Sequence, residues 1–189
     1  MNFNSVGARI DHLGGHSHKT WIDEGAFLYV FNKFNIKSMI DIGCGPGGMK
    51  KIAQKYEISW VGIDGDYSIK DESIINHDFN LGRCKLKTSF DLGWAVEFLE
   101  HVRERYLDNV MFLFNKCKYV ICTTSVPGSG GYYHVNEQPK EYWIKLFLKY
   151  DLIYNDDITI GIKQNTTMRK KHSNNLNWME QSGMFFERK

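Results

Sequence analysis

The stretch from Met39 to Lys50 constrains this chain more than any other, because it holds Asp41, Gly43, Cys44, Gly45, Pro46, Gly47 and Gly48 in succession. An apolar run carries one carboxylate, meets four glycines and a proline, and then passes into Lys50, Lys51, Ile52, Ala53 and Gln54, residues that suit a helix. That order predicts a strand over Ser38 to Ile42, a tight turn, and a helix from about Gly48 to Tyr56. Glycine has no Cβ, so such a turn can take positive φ angles and bring its backbone against a ligand. The helix behind it aims free N–H groups and the positive end of its dipole into the same space. A small, polar, partly anionic ligand is expected there.

Two further apolar runs end in acids. Ser59 to Asp64 is the first, and Asp64 lies about 20 residues beyond the turn, where a neighbouring parallel strand delivers an acid to ribose hydroxyls. Ile74 to Phe79 is the second, with Asp78 near its end. Strands that finish with polar groups at one edge describe an open α/β sheet whose site lies at the carboxyl ends. The alternation continues with a predicted strand over Phe90 to Val96, a helix over Glu100 to Lys116, and a strand over Tyr119 to Thr124. A glycine-rich rim follows from Ser125 to Asn136, and then a helix opened by Pro139 that carries Tyr142, Trp143, Leu146 and Phe147. Ile158, Ile160 and Ile162 alternate as in a strand, Lys163 to Asn175 reads as a solvated helix face, and Met184 to Glu187 as a closing strand.

Before the glycine turn, Asp11, His12, His16 and His18 cluster in a Gly- and Ser-rich segment. Structural zinc takes its ligands from ordered elements, so this segment reads as a loop folding over a ligand pocket, and no metal is expected. Thr20 as a cap, Asp23 and Glu24 in a first turn, and Phe27, Leu28, Phe31 and Phe34 at helical spacing predict a helix of about four turns. Residues 1–37 are thus expected to form a lid or cap on a core of residues 38–189, within one domain.

The 189 residues include 42% hydrophobic and 24% charged positions, which supports a folded domain and not a disordered chain. A formal charge of +2 shows no basic excess of the kind that marks nucleic-acid binders. No apolar run approaches the roughly 20 residues of a membrane span, and no signal peptide is expected. Cys44, Cys84, Cys117 and Cys122 form no CxxC pair, which suggests reduced thiols and a cytoplasmic setting.

The turn is GxGxG and not the GxGxxG of dinucleotide folds. Asp41 would repel a pyrophosphate but suits a ligand with an ammonium group. With Asp64 as a ribose acid, this favours S-adenosylmethionine over NAD.

At this point the chain resembles the class I, Rossmann-like S-adenosylmethionine-dependent methyltransferases. The resemblance rests on Asp41 to Gly48, on Val61 to Asp64, on His77, Asp78 and Phe79, and on Phe90 to Val102, and it covers about residues 38–150. It implies a single doubly wound, mostly parallel seven-stranded sheet with an antiparallel C-terminal strand. S-adenosyl-L-methionine is the implied cofactor and S-adenosyl-L-homocysteine the product. By the same resemblance Asp41, Gly43, Cys44, Gly45, Asp64, Gly65, Asp78, Phe79 and Trp94 would bind the cofactor. Asp41 would take the ammonium, Asp64 the ribose hydroxyls and Asp78 the adenine amino group, with Trp94 at the sulfonium end.

An oxygen or neutral nitrogen acceptor also needs a base. Glu97, after the strand nearest the methyl group, and His134, in the rim, are the candidates, whereas His101 reads as structural. The segment Trp94 to Glu97 replaces the Asp/Asn-Pro-Pro-aromatic sequence of exocyclic base methylation, and Cys84 and Cys122 lack the Pro-Cys setting of cytosine C5 enzymes. The expected acceptor is a small molecule or glycan, with Tyr132, Tyr133 and Tyr142 as an aromatic wall and Trp143 beside them reading as core from its helical spacing. RNA 2′-O methylation, or a catalytically silent S-adenosylmethionine-binding module, are the alternatives.

Overall fold

A computed structural model of the chain describes residues 11–13, 15–16, 18–169 and 177–189. Strands β1 (Ser38–Ile42), β2 (Ser59–Asp64), β3 (Ile74–Asn76), β4 (Phe90–Ala95), β5 (Cys117–Cys122), β6 (Leu152–Tyr154) and β7 (Met184–Arg188) form one sheet in the order β3-β2-β1-β4-β5-β7-β6. Neighbours are parallel except around β7, which runs antiparallel between β5 and β6. Helices α1 (Glu24–Lys33), α2 (Gly48–Lys55), α3 (Leu107–Phe114), α4 (Lys140–Leu148), α5 (Asp156–Asn165) and α6 (Trp178–Ser182) flank it. This is the doubly wound α/β architecture expected from the alternating elements.

The sheet is buried on both faces, and side-chain alternation along each strand sorts the core into two layers. Ile40, Ile42, Val120, Cys122 and Phe186 pack with Leu107, Val110 and Phe114 of α3 and Trp143 and Phe147 of α4. Met39, Leu92, Trp94, Ile121 and Phe185 face the other way, toward Phe27 and Val30 of α1, Met49 and Ala53 of α2, and Ile158 and Ile162 of α5. All four cysteines are free and buried.

Several elements differ from the sequence expectation, each for a local reason. Helix α1 is shorter than four turns and is capped by Asp23 rather than Thr20: Asp23 Oδ1 accepts the N–H of Ala26 at 3.0 Å and that of Thr167 at 2.9 Å. Ile158, Ile160 and Ile162 lie in helix α5, not a strand. Asn155 caps the first turn by accepting the N–H of Ile158 at 3.0 Å, Ile158 and Ile162 are buried one turn apart, and Ile160 points outward. Residues 163–165 complete that helix, residues 166–169 have no regular structure, and the rest of the expected polar helix face, like the N-terminal residues before Asp11, falls largely outside the described residues.

The helix expected from Glu100 is replaced by two 3-10 turns, Leu99–His101 and Glu104–Tyr106, with α3 starting at Leu107. The carbonyl of Glu100 is taken by the N–H groups of Val135 and Asn136, at 3.0 and 3.1 Å, so it cannot carry a helical ladder forward. The run from Ile74 likewise stops as a strand at Asn76, where Asp78 caps a 3-10 turn over Phe79–Leu81.

Candidate functional site

Strands β1, β2 and β4 end at the same edge, and the segments that follow them surround a cavity of about 380 Å³. Gly43, Gly45, Asp64 and Gly65 form one wall, and Val96, Glu97, Phe98, His101 and His134 another. His12, Leu13, His16 and Trp21 lie along it from the N-terminal segment, and Tyr132 and Tyr133 from the rim.

The glycine turn is built as its composition demands. Gly43 and Gly45 have φ of 72° and 51°, and a Cβ on Gly43 would stand 2.2 Å from the ring of Phe98. Asp64 ties the turn to β2: its Oδ2 accepts the N–H of Gly45 at 2.7 Å, and its Oδ1 accepts the N–H of Asp66 at 2.8 Å. A carboxylate has about four acceptor positions, so each oxygen keeps room for a ligand hydroxyl. Burial pushes the Asp64 carboxyl above its ordinary range, against the pull of those two N–H groups and of His16.

Asp41 lies under the turn and is buried beside Asp64 and the indole of Trp60. Burial lifts its carboxyl to about 8; the Trp60 indole opposes that rise and Asp64 adds to it. Cys44 is buried in the turn, with its thiol donated to the carbonyl of Gly45, and burial holds that thiol far above the range in which it could ionise. Asp78 accepts the N–H of Asn80 at 2.8 Å and faces His12 Nε2 at 2.8 Å, while Phe79 packs in the core against Phe98. His16 approaches Asp66 at 3.0 Å in the same way, so the overlying segment sets imidazoles against two acids at the edge of the sheet.

Trp94 does not face the cavity, contrary to the sequence expectation. The pleat of β4 turns it into the core with Met39, Ile121 and Phe185, 1% exposed, and Val96 two residues on takes the place at the wall. Trp143 is likewise core, as its helical spacing suggested.

At the opposite end, Glu97 has a left-handed φ of 53°, an uncommon conformation for a residue with a side chain. Thr123 holds it there, accepting the Glu97 N–H at 2.8 Å and donating its hydroxyl to Oε1 at 2.9 Å. His134 faces Glu137 Oε1 through Nδ1 at 2.9 Å, and Glu137 also accepts the N–H of Gly128. Sequence reading missed two members of this group. Glu100 is fully buried behind the wall, and His101, read as structural, lines the cavity with its ring 4.9 Å from that of His134. Burial, reinforced by His134, depresses the His101 imidazole to about 4, so it is neutral at physiological pH. The signal was available in the spacing Glu97-x-x-Glu100-His101, which one tight turn folds together. The ligand atoms of Glu100, His101 and His134 lie within 4.8 Å of one another.

No helix among the described residues is long and apolar enough to cross a membrane. No protein-family model matches the chain, and no curated protein matches its sequence. Solved structures do match in shape. The methyltransferase domain of bacterial CtHen1 is 18% identical, with a TM-score of 0.57 over 87% of this chain and 96% of that one. The plantazolicin methyltransferase BpumL in complex with SAH is 14% identical, with a TM-score of 0.58 over 88% and 82%. The magnesium protoporphyrin IX methyltransferase of Synechocystis PCC 6803 with bound SAM is 12% identical, with a TM-score of 0.56 over 87% and 76%. Strand order, the antiparallel β7 and these likenesses agree that the chain has the class I, Rossmann-like methyltransferase fold.

Proposed function

We propose that the cavity binds S-adenosyl-L-methionine and that the protein transfers its methyl group to an oxygen or nitrogen of a small molecule or glycan. One observation carries the reading: Asp64, 8% exposed on the cavity wall, is held by the N–H of Gly45, so the ribose acid and the glycine turn form one rigid unit. Solved neighbours of the same fold hold the cofactor or its demethylated product.

Gly43 and Gly45 offer backbone without a Cβ in the way, and Asp64 accepts from the ribose hydroxyls. Asp41, beneath them, balances the ammonium of the methionine end. The sulfonium is already a good leaving group, so the protein contributes mainly position, holding acceptor and methyl about 3 to 3.5 Å apart and in line. In the transfer the acceptor forms a bond to the methyl carbon while the carbon–sulfur bond breaks, its electron pair staying on a now neutral thioether. The acceptor's proton must leave, and Glu97 and His134 are the wall groups suited to take it.

The test is incubation with methyl-labelled S-adenosylmethionine and fractionated cell extract. Label in a metabolite or glycan fraction supports the reading, label in RNA moves the acceptor class, and cofactor binding with no label anywhere makes the protein a binding module.

A further inference from the structure

We propose that Glu100, His101 and His134 bind one divalent transition-metal cation, with Glu97 beside it, and that this cation receives a hydroxyl oxygen of the acceptor. The binding claim stands on the geometry alone; its use in transfer rests on the methyl-transfer reading above.

Three observations converge. Donor atoms of the three residues lie within 4.8 Å of one another. Ligands about 2.0 to 2.2 Å from a common ion can be at most about 4.4 Å apart, so a shift of a few tenths of an ångström closes the set. Glu100 is 0% exposed, and its Oε2 has no hydrogen-bond partner among the described residues, while Oε1 accepts the Ser125 hydroxyl at 3.3 Å and the Glu97 carboxyl lies within hydrogen-bond reach of the group. A buried carboxylate oxygen left unpaired is costly, and here a second carboxylate, Glu97, stands next to it.

The imidazoles are set up as ligands. His134 gives Nδ1–H to Glu137, which leaves the lone pair of Nε2 free to coordinate. His101 hydrogen-bonds the backbone carbonyls of Tyr132 and Tyr133, which fixes the orientation of its ring. The Glu100 carbonyl, taken by Val135 and Asn136, fastens the rim to the turn, so all three donors share one local frame. His101 and His134 line the cavity and Glu100 lies behind them, which directs the open coordination positions toward the acceptor.

Two imidazoles with carboxylate suit manganese, iron, cobalt, nickel or zinc better than calcium or magnesium. His134 then acts as a ligand rather than a base. A hydroxyl bound to the cation is acidified; its O–H bond breaks with the proton passing to Glu97, and the oxygen takes the methyl. The sequence reading expected no metal, because it considered only the histidines before Trp21.

The experiment is titration calorimetry of the EDTA-dialysed full chain with MnCl2 and, separately, ZnCl2. One ion per chain is expected, with affinity at least tenfold weaker in His134→Ala and in Glu100→Gln, and unchanged in Asp64→Ala, which lies on the other wall and offers no donor to the ion. His134→Gln serves if the Glu100 variant fails to fold. Absence of one-to-one binding of either ion to the parent chain, or binding indifferent to both substitutions, overturns the site. Once a labelled acceptor fraction is known, equal transfer by metal-loaded and metal-free protein overturns the acceptor role, while metal binding without any transfer counts against the methyl-transfer reading and not against the site.

Discussion

Asp64 Oδ2 accepts the N–H of Gly45 at 2.7 Å, so the carboxylate at the end of β2 braces the glycine turn that follows β1. The same residue is therefore both scaffold and proposed ribose acceptor, and substitutions must separate the two. Asp64→Ala should lose two charge-assisted hydrogen bonds to the ribose, about 3 kcal/mol or more, which is roughly a hundredfold in affinity. Asp64→Asn keeps one carbonyl oxygen for the Gly45 N–H but leaves the Asp66 N–H without its acceptor, so it should melt below the parent yet above Asp64→Ala while still binding S-adenosylmethionine weakly. Calorimetry showing parent affinity in Asp64→Ala would sink the cofactor assignment.

Asp41 gives the pH dependence. Its carboxyl, raised by burial to about 8, holds a proton in the folded chain that the unfolded chain releases near the ordinary aspartate value of 3.8. Between those values the folded state binds more protons, so stability falls as pH rises, the reverse of a salt-bridged acid. Asp41→Asn should flatten the decline in melting temperature between pH 5 and pH 8, both values lying roughly within that window. A cofactor ammonium beside Asp41 favours the ionised form. Binding near neutral pH should then release a proton from the parent chain and less from Asp41→Asn, read by calorimetry in buffers of different ionisation enthalpy.

The parts of the fold that could be read from sequence were those in which local pattern and tertiary role agree. β1 and β2 match their expected residues, because an apolar run bounded by a polar edge is itself the buried parallel strand. Trp94 was misplaced because a strand buried on both faces shows no polar alternation to say which face a residue takes. Ile158 to Ile162 misled because positions i, i+2 and i+4 fit a short strand as well as one helical turn, and only the cap at Asn155 decides between them. The spacing Glu97-x-x-Glu100-His101 marks that group in the sequence, but what Glu100 and His101 do depends on the rim, more than 30 positions later, whose approach no local pattern reports.

Asp91 is the counterpart of Asp41 at the other end of the sheet. Burial works against its charge, yet Lys118 at 2.6 Å, the N–H groups of Lys37 and Ser38, and the Ser38 hydroxyl hold the carboxyl below its usual value. A depressed acid stabilises the fold above its unfolded value and loses that contribution as pH falls through the folded one. Asp91→Ala should cost about 2 kcal/mol at neutral pH by leaving the Lys37 and Ser38 N–H groups unpaired. The difference from the parent chain should shrink on acidification below about pH 4. Urea unfolding at pH 7 and pH 3.5, two points roughly either side of that value, checks both claims.

Gly43 and Phe98 offer a cycle that separates steric contact from backbone conformation. Gly43→Ala places a Cβ 2.2 Å from the Phe98 ring and in a backbone with φ of 72°. The left-handed conformation alone costs a residue with a Cβ about 1 to 2 kcal/mol, and the collision adds to that. Phe98 is only partly buried, so it has some room to move when its neighbour grows. In a Phe98→Ala background the ring is gone but the Cβ of residue 98 still stands 2.7 Å away, so Gly43→Ala should cost less than in the parent chain yet more than the conformational part alone, with a coupling of at least about 1 kcal/mol between the two sites. Equal cost in both backgrounds would show that the backbone conformation and the Cβ of residue 98, and not the Phe98 ring, reserve this position for glycine. In either background Gly43→Ala should weaken S-adenosylmethionine, because the added methyl group projects from the wall that the cofactor is proposed to lie against.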